Sequence, residues 1–373
     1  MREYLLTFFI AASITYLMMA LCGRVAHWVG AIPPPRARDV HKGVVPRMGG
    51  VAMLIGMLGA MLVASYLPRM RDVFVESTDA RALITAAIVI CLVGVADDIW
   101  DLSALAKLAG QMLAAGLLVV QGVELLWLPL PNGVFTLDPG QRALLTVLLV
   151  VGAANAVNFI DGLDGLAAGV VGIGAAAFFS YTYLLAVEQG DTRMTTPALV
   201  AVVLMGMCAG FLPHNISPAR IFMGDSGAML IGLLLAAGSI TLTGRSASQD
   251  VDESSFLLTL LPLILPAAVI ALPFLDMLLA VVRRTREGRM FNSPDKKHLH
   301  HRLLEVGHSD GRAAAIMWVW AALVSGGVVV IALVGGWTTY ALLAVAILVL
   351  VAFTTRRPRR LLRRGTSFME TGG

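Results

Sequence analysis

Charge is scarce in this chain. Of its 373 residues only 14% are Asp, Glu, Lys or Arg, while 58% are hydrophobic; soluble proteins carry about 25% charged residues. No polar stretch is long enough to fold by itself, so a separate soluble domain is excluded. Cysteine is nearly absent as well. Cys22, Cys91 and Cys208 lie inside apolar runs with no CxxC spacing, which excludes a disulfide framework and leaves them as small buried residues. The start lacks the basic region of a secretory signal. Arg2 stands alone there, and Leu21 before Cys22 argues against lipoprotein cleavage. The apolar run of about 18 residues is long for a signal, and is read as a first membrane helix.

What the chain does have is apolar length. The pattern predicts an all-α, polytopic membrane bundle of about eleven transmembrane helices. They are placed at 4–23, 48–67, 82–96, 104–121, 142–158, 165–186, 197–213, 226–243, 256–282, 313–334 and 338–355. Residues 1–355 are expected to form one transmembrane domain, with loops 24–47, 97–103, 158–164, 214–225 and 283–312 on one side. A basic tail follows at 356–373. Most of the 28 Lys and Arg lie on that side: in 24–47, at Lys107 and Arg220, in 283–312 and in the tail. Only Arg2, Arg69, Arg71, Arg81, Arg142, Arg193 and Arg245 fall on the other. The positive-inside rule then puts the N-terminus outside, and the C-terminus and every acidic motif in the cytoplasm. The tail reads first as a topology anchor.

Acidic residues cluster at span ends on the cytoplasmic side. Carboxylates are costly near hydrocarbon, roughly 2.5–3.5 kcal/mol at a helix centre, and their gathering on one face suggests a divalent-metal site for a charged substrate. Asp97 and Asp98, with Asp101, end one span, and Ser103 is placed to cap the next. Such a pair can share Mg²⁺ or orient a proton; a solvated turn is the alternative. In Asn155-Ala-Val-Asn158-Phe-Ile-Asp161-Gly-Leu-Asp164-Gly, the two amides share a helix face and the acids fall where glycines open the backbone. The next helix start favours anions; a polar hairpin is the bland reading. In Phe222-Met-Gly-Asp225-Ser-Gly227 the glycines allow close backbone approach, although Asp225 could be a plain N-cap. His214-Asn215 ends the span before it. Lys107 lies about one turn into its span and either meets a phosphate or only snorkels. Asp276 and Arg283 read as an interfacial ion pair or as part of the site. The glycines of Pro46-Arg47-Met-Gly49-Gly50 would let loop and helix pack closely. His298, His300, His301 and Arg302 sit among cations and read as a phosphate grip. Zinc is the lesser alternative, since no cysteine lies nearby and the acids suit hard Mg²⁺.

In this order, the motifs HxG…PxxGG, DD, NxxNxxDGLDGL, FMGDSG and HxHH resemble the polyprenyl-phosphate N-acetylhexosamine-1-phosphate transferases. The likeness runs from about residue 30 to 305, is closest to the WecA/TagO branch, and has MraY of peptidoglycan synthesis as a cousin. It implies transfer of GlcNAc-1-phosphate from UDP-GlcNAc to polyprenyl phosphate, beginning a cell-envelope glycan. Another UDP-N-acetylhexosamine or UDP-MurNAc-peptide is the alternative substrate, and a cation-coupled transporter the alternative class. The resemblance assigns Asp97, Asp98 and Asp161 to catalysis, and Asp225 with Asp98 to Mg²⁺, or Mn²⁺ in its place. It assigns Asn158, Asp164, Asn215, Phe222, Lys42, His298, His300, His301 and Arg302 to the nucleotide-sugar. Lys107, His41 and Arg38 are assigned to the lipid phosphate. The chain departs from the family at Pro33-Pro34-Pro35 and Asp39, where acidic and basic residues are usual. The expected partners are the two substrates and membrane lipid, without nucleic acid; a homodimer is left open. The expected location is a bacterial inner membrane.

Overall fold

The computed structural model describes residues 1–32, 45–130, 133–188, 194–245, 264 and 309–355. Its order is α1 (Arg2–Val29), α2 (Gly49–Ala64), α3 (Arg71–Val75), α4 (Asp79–Trp100), α5 (Ala104–Val120), β1 (Trp127–Leu130), β2 (Gly133–Thr136), α6 (Pro139–Ile160), α7 (Leu166–Glu188), α8 (Thr195–Asn215) and α9 (Gly224–Arg245). Two further helices follow, here α10 (Asp310–Val334) and α11 (Trp337–Thr355). Among the described residues seven helices are long and apolar enough to cross a membrane, and α2, α5 and most of α11 are shorter apolar helices. Each expected span thus meets a helix, except 256–282, of which all but residue 264 lies outside the described residues, together with Asp276, Arg283 and the basic tail.

The helices run further than the apolar spans. Asn158 lies in α6, as its place in the 142–158 span implies, while Asp97 and Asp98 form the last turn of α4 and His214 and Asn215 end α8, so helix extends into the expected loops 97–103 and 214–225. Polar side chains with partners do not stop a helix; backbone geometry does. Helix α4 stops at Asp101, which takes left-handed φ 53° and donates its N–H to Asp97 O. Ser103 caps α5 as expected, its Oγ accepting the Ala106 N–H at 3.3 Å. Asp138 and Gln141 form a reciprocal capping box at the start of α6, with Pro139 in the first turn.

Two small elements were not anticipated. Helix α3 is one short turn. Strands β1 and β2 pair antiparallel, Trp127 opposite Thr136 and Leu128 opposite Phe135. The signal was in the sequence: Asn132-Gly133 between two apolar runs favours a hairpin.

Helix α9 is the central element, and its residues 226–243 are all buried. It packs against α2, α4, α6, α7 and α8, so it reads apolar all round. Among membrane helices, association rests on close packing of small residues. The start of α9 shows how close. A Cβ on Gly94 of α4 would lie 2.3 Å from Ser226 Cα, and one on Gly50 of α2 would lie 2.1 Å from Gly227 N. The expectation that Gly49-Gly50 permits close packing is met here, where three backbones converge.

Gly94→Ala is expected to destabilise the protein by about 1–3 kcal/mol, the cost of overpacking against fixed backbone. Gly116→Ala in α5, where an added Cβ meets nothing within 4 Å, is expected to be neutral or mildly stabilising. Thermal unfolding in detergent, with both variants beside wild type, measures the difference.

Candidate active site

The three acidic motifs meet at one end of the bundle. Asp97 and Asp98 are adjacent on α4, about 100° apart around a helix of 3.6 residues per turn, so they face different neighbours. Asp98 faces the start of α9. Its Oδ1 accepts the Asp225 N–H at 2.9 Å, and its Oδ2 accepts the Ser226 N–H at 3.2 Å and Ser226 Oγ at 2.8 Å. These N–H groups have no partner within their own helix, and a carboxylate there also complements the helix dipole. Gly224 takes φ 72°, and a Cβ on it would lie 2.3 Å from Asp98 Oδ2; a side chain at 224 would push the cap away.

Asp97 faces the cluster itself. Its Oδ1 accepts the Leu102 N–H at 3.1 Å, and its Oδ2 lies 2.8 Å from Lys107 Nζ. Lys107 also pairs with Asp225 Oδ2. The Asp97 and Asp225 carboxyl groups are neighbours across this ammonium, and the Asn158 amide stands beside Asp225. One ammonium therefore sits where two carboxylates converge. Asp97 is buried, while Lys107 and Asp225 remain partly open at 23% and 22% exposure, so the cluster is reachable from outside.

Asp161 caps the C-terminus of α6, its N–H shared between Val157 O and Asn158 O. Loss of water together with the charges of Asp225 and Asp98 pushes its carboxyl up to about 7, against the pull of Arg47. Asp164 and Asn215 do something different: they stitch chain to chain. Asp164 Oδ2 accepts the Ala219 N–H at 3.0 Å. Asn215, 2% exposed, accepts the Gly165 N–H at 2.8 Å and donates to Ile221 O at 2.9 Å. Trp318 Nε1 donates to Gly165 O at 3.1 Å. Phe222, half-buried, joins Pro46 O through its N–H and accepts the Gly49 N–H. The segment 216–223 is thereby held between α2, α7 and α8.

Residues 80–243 match the model of glycosyl transferase family 4, a range that contains every acid just described. The chain is 45% identical over 331 residues, 88% of its own length and 82% of the relative's, to the decaprenyl-phosphate N-acetylglucosaminephosphotransferase of Mycobacterium tuberculosis. It is 44% identical over 369 residues, 98% and 90% of the two chains, to the protein of the same name from Mycolicibacterium smegmatis. The chain belongs to glycosyl transferase family 4. A more distant relative is the phospho-N-acetylmuramoyl-pentapeptide-transferase of Desulforudis audaxviator, 32% identical over 304 residues, 75% of this chain and 82% of that one.

In this family-4 chain the structure gathers Asp97, Asp98, Lys107, Asn158, Asp161 and Asp225, and places Asp164, Asn215 and Phe222 in the adjoining stitched segment. Arg38, His41, Lys42, His298, His300, His301 and Arg302 lie outside the described residues. The sequence reading gave no role to Ser226, Arg47 or Gln111. Ser226 was visible as the hydroxyl after Asp225 at a helix start. Gln111 was visible as an amide inside an apolar run, a position polar side chains occupy at a cost.

The donor set suits a hard cation. Among the described residues no three His, Cys, Asp or Glu side chains form a closed metal-binding group. Two carboxylates meeting beside partly open Lys107 and Asp225 match the manner of Mg²⁺, which takes one or two carboxylates and completes its shell with water and phosphate. Asp98 has both oxygens engaged by α9, which leaves Asp225, partly open, and buried Asp97 beside it as the carboxylates on Lys107.

The raised carboxyl of Asp161 has a stability consequence. Unfolded, it loses its proton near 3.8; folded, it keeps it to about 7. The folded state holds the extra proton in that window, so stability falls as pH rises through it, and the full penalty is present above about 7. In chelator-containing buffer, the unfolding midpoint of Asp161→Asn should fall less with rising pH than that of wild type. Parallel curves would remove Asp161 as the titrating group.

Proposed function

We propose that this protein transfers GlcNAc-1-phosphate from UDP-GlcNAc to polyprenyl phosphate, releasing UMP and leaving polyprenyl-diphospho-GlcNAc as the first membrane-bound unit of a cell-envelope glycan. The observation that carries the proposal is the meeting of Asp97, Lys107 and Asp225 at one end of a family-4 bundle. The names of the relatives at 44–45% identity supply the sugar and the lipid. A cation-coupled transporter would hold its acids at mid-membrane depth in broken helices; here they lie in the last turn of α4 and the first of α9.

In the reaction, an oxygen of the lipid phosphate attacks the phosphorus that carries the sugar. The bond from that phosphorus to the bridging oxygen breaks, and UMP departs with the oxygen and its electron pair. A phosphate monoester is largely ionised at neutral pH, its second pKa being about 6, so the nucleophile needs alignment more than proton removal. Asp97, beside the opening, orients the lipid phosphate through Lys107, whose ammonium attracts it. Mg²⁺ held through Asp225, with Mn²⁺ as the alternative, would supply charge neutralisation on the diphosphate. Asp98 keeps Asp225 in place by holding the backbone beneath it. The cations and histidines of 283–302 are assigned to gripping the diphosphate, and Phe222 to stacking on the uracil. The distribution of Lys and Arg supports a cytoplasmic site in a bacterial inner membrane.

Detergent-purified protein given UDP-GlcNAc, polyprenyl phosphate and Mg²⁺ is expected to release UMP, and Asp225→Asn to lose at least about 100-fold in rate while keeping its gel-filtration profile. Near-normal turnover by that variant would remove Asp225 from the machinery. No UMP release by wild type, with any UDP-N-acetylhexosamine, would end the assignment.

A further inference from the structure

One helical turn beneath the acidic cluster lies a second polar layer that the reaction itself does not use. Gln111 follows Lys107 by four residues on α5, Met229 follows Asp225 by four on α9, and Asn155 precedes Asn158 by three on α6. Such offsets place residues on one helix face, one above the other. The two amides face each other across α5 and α6. Asn155 Nδ2 donates to Gln111 Oε1 at 2.8 Å and to Val151 O at 2.8 Å. Gln111 Nε2 in turn lies 3.4 Å from Asn155 Oδ1 and 3.1 Å from Met229 Sδ. Gln111 is 1% exposed. A buried amide without a partner is costly, and a reciprocal pair satisfies both members only in one relative position of the two helices.

That position matters because the groups one turn above must all reach a single carboxylate. Lys107 on α5 pairs with Asp225 on α9, and Asn158 on α6 stands beside the same carboxylate. A lysine stem is long and flexible, and without a fixed base its ammonium would wander. We infer that Gln111 is a positioning residue: paired with Asn155 and seated on Met229, it sets α5 and α6 against α9 and so holds Lys107 on Asp97 and Asp225. A purely apolar contact would hold the helices together without fixing their rotation. The amide pair does fix it, because its hydrogen bonds are directional.

The effect on turnover rests on the function proposed above, whereas the effect on Lys107 does not, and the test reads both. The first readout is acetylation of Lys107 by a water-soluble N-hydroxysuccinimide ester in detergent, followed by mass spectrometry of its peptide. Gln111→Met, of similar length and suited to an apolar neighbour, is expected to speed that labelling by about five-fold, the equivalent of one lost hydrogen bond. It should lower kcat by roughly ten- to hundred-fold at little-changed KM, as misplacement of a working group does. The exchanged pair Gln111→Asn with Asn155→Gln should return both readouts toward wild type. The control is Gln121→Met at the other end of α5, where the amide donates to Thr85 Oγ1 at 2.8 Å; it should leave both unchanged. Wild-type labelling in Gln111→Met would overturn the inference, as would an equal effect from Gln121→Met. If labelling responds as expected but wild type releases no UMP, the positioning role stands and the proposed reaction falls.

Discussion

The site depends on one buried carboxylate that touches no substrate in this account. Asp98 takes the first free N–H groups of α9 and the Ser226 hydroxyl. Those groups need an acceptor, and lipid offers none. Supplying it from α4 joins two helices whose residues are 127 apart in the chain, and it does so only because Gly94, Gly50 and Gly224 let the backbones approach. Once α9 is pinned there, Asp225 projects toward Asp97 and Lys107. The rest of the cluster follows from that anchoring.

Neighbouring residues of identical chemistry consequently do different work. Asp97 and Asp98 share a helix turn, a burial level and a side chain, yet one faces an ammonium and the other a row of backbone donors. The same division recurs nearby. Asp161 sits beside like charges and keeps its proton to about 7, whereas Asp164, three residues on, accepts a backbone N–H and ties the 216–223 segment down. A carboxylate committed to backbone donors keeps a neighbour in place, and one facing like charge and open space is free to exchange partners.

Polar groups in this bundle are layered. The outermost layer holds Asp97, Lys107 and Asp225; the next holds Gln111 and Asn155; below them α9 runs apolar and fully enclosed. In a medium without water each layer must satisfy itself, so polar pairs appear in reciprocal sets. The price of that arrangement is sequence freedom at the glycines, where even a methyl group meets backbone.

Much of this was legible in the residues. Span after span matched a helix because hydrocarbon thickness imposes a length that composition reveals, and the clustered acids were conspicuous against an apolar background. The Ser103 cap was readable because capping is local. What was not legible were some helix ends, since α4 and α8 run on into stretches expected as loops and carry Asp97, Asp98 and Asn215 as helix, and the β-hairpin, whose short apolar strands were lost among longer apolar runs. By itself the sequence determined that this is a multi-pass helical protein, which family it belongs to, and which carboxylates lie near span ends. Only the tertiary structure decided that Asp98 holds a helix while Asp97 faces an ammonium, and that Lys107 joins Asp97 to Asp225. The reason is physical: helix periodicity governs residues three or four apart, whereas Lys107 and Asp225 are 118 apart and meet only when whole helices pack.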